Sequence, residues 1–242
     1  MILADQLAHT SHWRTMPLAE KTSLSLGLVL VALAVQSVSI HVVLTVLVSL
    51  CARRSGCSWA NWLRLLSVPT AFVLTADLGL FLSWGDAGPV LRPQAWQDVL
   101  HLLTRCTAAA AAMLLLTVTT PAPHLLQGMR HCGLSAELAE TGLLIYRFVF
   151  IFHHTALTML ASQQARLSGI SIRRRIHGLG LLVAALFPRA LDHARRLDYG
   201  LSARGFSGSL PTLSRHSPIR PWRLAAIILL LICLSGAAQC LP

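Results

Sequence analysis

Lysine occurs once in the 242 residues, at position 21, and aspartate plus glutamate number only 9. Charged side chains make up 12% of the chain, about half the share that covers an ordinary soluble domain. Six cysteines, at 51, 57, 106, 132, 233 and 240, form no Cys-x-x-Cys pair and lie mainly in apolar runs. That pattern excludes a zinc ribbon or a disulfide framework and reads as small, reduced hydrophobes. There is no Gly-x-Ser-x-Gly, no Walker lysine and no glycine-rich phosphate loop, so the chain is not expected to hydrolyse ATP itself. Eleven histidines show no His-Glu-x-x-His spacing. His153 and His154 are adjacent and point to different helix faces, while His9 and His12 have no Cys or carboxylate nearby beyond Asp5, so no metal site and no bound cofactor are expected. Residues 1–20 are polar with scattered histidines, and no cleavable secretory signal is expected there.

What the sequence does hold is grease and arginine. Hydrophobic residues make up 55% and mean hydropathy is +0.63, while the net charge is +11 and the isoelectric point 10.9. Residues 24–35 are apolar except for Ser25, and after Gln36, Ser37 and Ser39 the apolar run resumes over 40–51. A single span needs about 20 residues and two need about 40, so length alone leaves one long span or a short hairpin. Arg14 and Lys21 before the run and Arg53, Arg54 and Arg64 after it put both ends on the cytoplasmic side, which favours the hairpin. Residues 62–84 form a third span with Trp59, Trp62 and Trp84 as interface anchors. A loop over 85–97, broken by Gly85, Gly88, Pro89 and Pro93, leads to a fourth span over 100–118. In it the run Ala108 to Ala112 allows a neighbouring helix to come close. Residues 222–241 make the last span.

Residues 120–223 carry 13 arginines against four acids, so nearly all of the excess charge lies there. After a short amphipathic stretch over 124–132 closed by Gly133, two helices are expected at 134–166 and 172–202, the second stopping at Gly205. At 1.5 Å per residue each is about 45 Å long. An extra span at 143–160 is disfavoured, because Arg147, His153 and His154 would lie in hydrocarbon and the following arginines would be moved outside. The fold class is therefore all-α: a polytopic membrane protein with about five transmembrane helices and a cytoplasmic domain of long helices. The divisions are 1–119 for the N-terminal membrane domain, 120–221 for the helical domain and 222–242 for the last span, with the N-terminus cytoplasmic and the C-terminus outside.

Several stretches carry a resemblance. Asp5, Ser11, Arg14, Pro17, Glu20 and Lys21 at the start are similar to the opening of the CbiQ family. So are Thr119-Thr120-Pro121 with Leu125 and Leu126, Tyr146-Arg147-Phe148 with Gln164-Ala165-Arg166-Leu167, and Ala203-Arg204-Gly205-Phe206. These proteins are the T components of cobalt/nickel energy-coupling factor (ECF) transporters, and the resemblance covers nearly the whole chain. It implies a non-catalytic scaffold in the inner membrane that joins two cytoplasmic CbiO-like ATPases, which bind ATP and Mg, to a CbiM-like substrate-binding membrane subunit with a small CbiN-like accessory subunit. The arginines of two tripeptides would dock into the ATPases: Arg166 in Ala165-Arg166-Leu167 and Arg204 in Ala203-Arg204-Gly205. Leu167 departs from the small residue often found at that place.

The same arginines have a physical reading of their own. A guanidinium at the tip of a long helix is a permanent charge with five donors, placed where the negative end of the helix dipole favours a cation. Arg173, Arg174 and Arg175, in the turn between the long helices, read as contacts to anionic lipid headgroups in preference to a protein partner. Nucleic acid is not expected as a partner, because the segment has few aromatics and no recognition motif. Asp77 in the third span reads equally as a functional carboxylate or as a hydrogen-bonding residue near Arg105. A membrane-embedded enzyme using Asp77 and Arg105 is the rival from another class, and a T component serving a vitamin importer is the rival within the family.

Overall fold

The computed structural model describes residues 3–85, 88–91, 95–131, 133–165, 171–206 and 221–240. The chain forms helices α1 (Leu3–Thr10), α2 (Leu18–Ala34), α3 (Val38–Arg54), α4 (Trp59–Phe81), α5 (Ala95–Thr119), α6 (Ala122–His131), α7 (Ala136–Ala165), α8 (Ile172–Ser202) and α9 (Pro221–Cys240). A 3-10 turn at His12–Thr15 joins α1 to α2. Between α4 and α5 lies an antiparallel hairpin, β1 (Leu82–Gly85) with β2 (Gly88–Leu91), pairing Ser83 with Val90. Two compact units result: residues 1–128 with 215–242, and residues 129–214.

In the first unit α5 is the central helix, packed by α1, α2, α3 and α4, while α9 lies along α2. The reason is the small-residue stripe. Ala108, Ala111, Ala112, Leu115 and Val118 are buried, and their spacing of three and four puts them on one face of a helix. Against this stripe pack Leu28, Val31 and Ala32 of α2, Ile40, Leu44 and Val48 of α3, and Trp62 of α4. Between α2 and α9 the approach is close enough that a β-carbon at Gly27 would run into the Leu231 side chain. The opposite faces stay apolar and exposed, with Leu30 at 66% and Phe72 at 76%. A water-soluble bundle would place polar residues on those faces.

The ends of these helices converge in one layer. The Ser11 hydroxyl donates to the Ser55 carbonyl (3.1 Å) just beyond α3, and its oxygen accepts from the Trp13 amide (3.2 Å). Lys21 Nζ, in the first turn of α2, donates to the Thr119 carbonyl at the end of α5 (3.1 Å). Arg223 at the start of α9 faces Glu20 (3.7 Å). Trp62 Nε1 near the start of α4 donates to Ser49 Oγ near the end of α3 (3.1 Å). The start of α2, the end of α3, the start of α4, the end of α5 and the start of α9 therefore share one side. Residues 24–51 accordingly lie within a hairpin of two 17-residue helices, α2 and α3, broken at 35–37.

Several boundaries differ from those expected. α4 is Trp59–Phe81 where 62–84 was read, and the following segment, read as a loop, contains the short β hairpin within an otherwise helical chain. α5 starts at Ala95, five residues early, because its polar opening still suits a helix: Asp98 lies in the first turn, where a carboxylate favours the dipole. Among the described residues two helices are both long and apolar enough to cross a membrane alone. These are Trp96–Thr119, with mean hydropathy 1.7, and Ala136–Ala165, with 1.5, while Pro221–Gly236 is a shorter apolar stretch. The second coincides with α7, which the sequence placed on the inner face. Arg147, His153 and His154 are exposed on it.

The second unit is built on α7 and α8, which run antiparallel. Gln163 Nε2 donates to the Gly178 carbonyl (3.2 Å), and the His193 ring stands edge-on to Phe148 (5.2 Å). The steps from 148 to 163 and from 193 to 178 are equal and opposite, which sets the register of the pair.

Candidate functional site

The α8 terminus is built by its own sequence. The Phe206 amide donates to the Leu201 carbonyl (3.1 Å) and the Gly205 amide to the Ser202 carbonyl (3.1 Å). These two bonds, with Gly205 at φ 71°, make a Schellman cap in which glycine takes the left-handed position without strain. Arg204 is the residue just before that glycine, and Ala203, Arg204 and Gly205 are all exposed. With small residues on either side, the guanidinium can enter a narrow cleft in a partner, held at the end of the helix where the carbonyl dipoles favour it.

The other predicted tip is reached only in part. Ala165 is the last residue of α7 and is exposed, whereas Arg166 and Leu167 lie outside the described residues. Because α7 and α8 are antiparallel, their C-terminal ends are at opposite ends of the pair. The 31 residues of α8 span about 45 Å, so Ala165 and Ala203 are separated by a distance of that order. Arg173, Arg174 and Arg175 are exposed in the first turn of α8 rather than in the turn before it. They flank the end at which α7 stops. Three cations at a helix N-terminus oppose the dipole, and Ser171 makes no side-chain cap there.

Asp77 and Arg105 do not come together. Arg105 Nη2 donates to the Leu33 carbonyl in the last turn of α2, a helix-end carbonyl that no sequence spacing could point to. Asp77 is buried, and neither carboxylate oxygen has a hydrogen-bond partner among the described residues. The catalytic pair considered for an enzyme is therefore not assembled. His41 and His101, 60 positions apart, meet edge-on at 5.4 Å, yet among the described residues no group of three His, Cys, Asp or Glu side chains could hold a metal.

What sequence reasoning missed is that the quoted N-terminal and central stretches touch. Lys21 meets Thr119, Glu20 meets Arg223, and Thr119 and Thr120 are buried beneath them. Lys21 is 5% exposed. A lone lysine flanking an apolar run was the signal that could have marked it.

The family model for CbiQ, cobalt transport protein, matches residues 10–216. The chain belongs to the CbiQ family. It is 36% identical to the cobalt transport protein CbiQ of Rhodobacter capsulatus over 227 residues, covering 93% of each chain. The CbiQ of Salmonella typhimurium is 23% identical over 84% of this chain and 96% of its own length. A putative fused cobalt transport protein, CbiMQ, of Methanocorpusculum labreanum is 21% identical over 56% of this chain and 22% of its own. The CbiQ match takes in both tripeptides, the α8 cap and the Lys21–Thr119 contact, while Arg223 and the rest of α9 lie beyond the matched residues.

Proposed function

We propose that this CbiQ-family chain is the membrane coupling subunit of an ECF-type transporter for cobalt or nickel, non-catalytic in itself. Two CbiO-like ATPases supply ATP hydrolysis, and a CbiM-like membrane subunit, with a small CbiN-like accessory, captures the ion. Arg204 and Arg166 each dock one ATPase, and the stiff α7–α8 pair passes ATP-driven closure on as a rigid-body movement. The observation that carries this reading is the capped end of α8, which presents an exposed Arg204 between Ala203 and Gly205, its guanidinium without a hydrogen-bond or ion-pair partner among the described residues. The fused CbiMQ relative supports a CbiM-like partner.

Five spans, α2, α3, α4, α5 and α9, with the N-terminus in the cytoplasm and the C-terminus outside, agree with the shared layer of helix ends. That layer also gathers Lys21, Arg53, Arg54 and Arg223, as the positive-inside rule requires. Arg173, Arg174 and Arg175 hold anionic headgroups at about 1 kcal/mol per charge.

The test is to replace Arg166 and Arg204 together by Glu and measure co-purification of the ATPases and ion uptake. The expected result is loss of both with the chain still inserted in the membrane. Undiminished complex and uptake would refute the coupling role.

A further inference from the structure

A cavity of about 250 Å³ opens beside the helix-end layer, lined by Trp13, Met16, Lys21, Leu24, Trp222, Arg223 and neighbours on α9. Lys21 donates one proton to Thr119, and its other two meet no acceptor among the described residues. Glu20 faces Arg223 instead, at 3.7 Å. A buried ammonium without a carboxylate partner is costly. With Lys21, Arg223 and Glu20 in the lining, the cavity keeps a formal surplus of one positive charge.

Its remaining walls, Met16, Leu24, Ala226 and Ile227, are aliphatic, and two tryptophans border it. Cations next to indoles and aliphatic walls match the boundary between headgroup and acyl chain. The volume is below that of a pocket enclosing a whole small ligand, so an occupant would be held by one end while the rest of it lies outside.

We propose that this cavity is a specific site for one anionic phospholipid, its phosphate on Lys21 and Arg223 and the first part of an acyl chain along Leu24, Ala226 and Ile227. The aliphatic walls select a lipid over free phosphate. The site rests on the membrane reading of the first unit and is independent of the ATPase contacts.

The full-length chain is reconstituted in nanodiscs of equal phosphatidylglycerol and phosphatidylcholine, and retained lipid is counted by native mass spectrometry. The expected result is phosphatidylglycerol retained over phosphatidylcholine by about tenfold or more, unchanged by millimolar inorganic phosphate. Lys21→Met keeps the side-chain length and removes a buried charge, so it folds, and Ala226→Trp fills the cavity with both cations intact. Each lowers the preference below about threefold. Equal retention of the two lipids, displacement by phosphate, or an undiminished preference in either variant overturns the site. Failure of the wild-type chain to enter nanodiscs would overturn the membrane reading and the site with it, whereas loss of ATPase binding alone would touch neither.

Discussion

Gly205 decides the direction in which Arg204 leaves its helix. At φ 71° an alanine pays roughly 1–2 kcal/mol for the left-handed conformation, and the two closing bonds to Leu201 and Ser202 loosen with it. Gly205→Ala is therefore expected to leave the chain folded while weakening ATPase co-purification several-fold, although Arg204 is untouched. Gly205→Asn, which tolerates the same conformation, restores it. Equal binding by all three chains would show that the cap does not aim the arginine. The end of α8 was legible because a glycine after a helical pattern states its own local geometry, whereas the docking role of Arg204 came from the family resemblance. Asp77 and Arg105 were not legible, because whether two residues on neighbouring helices meet depends on rotations that spacing along one chain does not encode. Arg105 instead found a backbone carbonyl.

At the scale of elements, α5 explains the first unit better than any other helix. Its alanines were readable as a close-approach surface, and the positive flanks at 14, 21, 53 and 54 were enough to fold residues 24–51 into a hairpin. The start of α5 was harder to read, because the expectation required apolar residues and the first turn is polar. The β hairpin after α4 was missed because Gly85, Gly88 and Pro89 punctuate a turn without announcing the two short strands beside it. Packing on the α5 stripe is tight: Ala111 is fully buried in the core cluster that α5 shares with α2, α3 and α4. Ala111→Leu adds three carbons with no void to receive them, and the expected cost is about 1–3 kcal/mol. Met113→Leu, on the exposed side of the same helix, should cost nothing measurable. A Tm drop confined to the first variant, read by a thermal shift in detergent, checks the assignment of faces. Equal Tm values would place the contact surface elsewhere on α5.

For the molecule as a whole, the two predicted tips are the ends of one antiparallel pair rather than two neighbouring fingers. Sequence alone supplied two long helices and two arginines, and it could not say that Gln163 meets Gly178 or that His193 meets Phe148 and Phe152. Those contacts put the two C-termini about 45 Å apart. Under the coupling role proposed above, a separation of that order between Ala165 and Ala203 assigns one ATPase to each helix end. Single charge reversals then have a distinct outcome. Arg204→Glu alone should retain one ATPase per complex, Arg166→Glu alone should retain the other, and only the double variant should lose both. Transport should fall to background in all three, because closure of an ATPase pair cannot be passed on through one attached end. Counting subunits by native mass spectrometry in each variant decides the matter. Complete loss of both ATPases from a single reversal would mean that the tips act on one shared surface and that the antiparallel pair is not the lever.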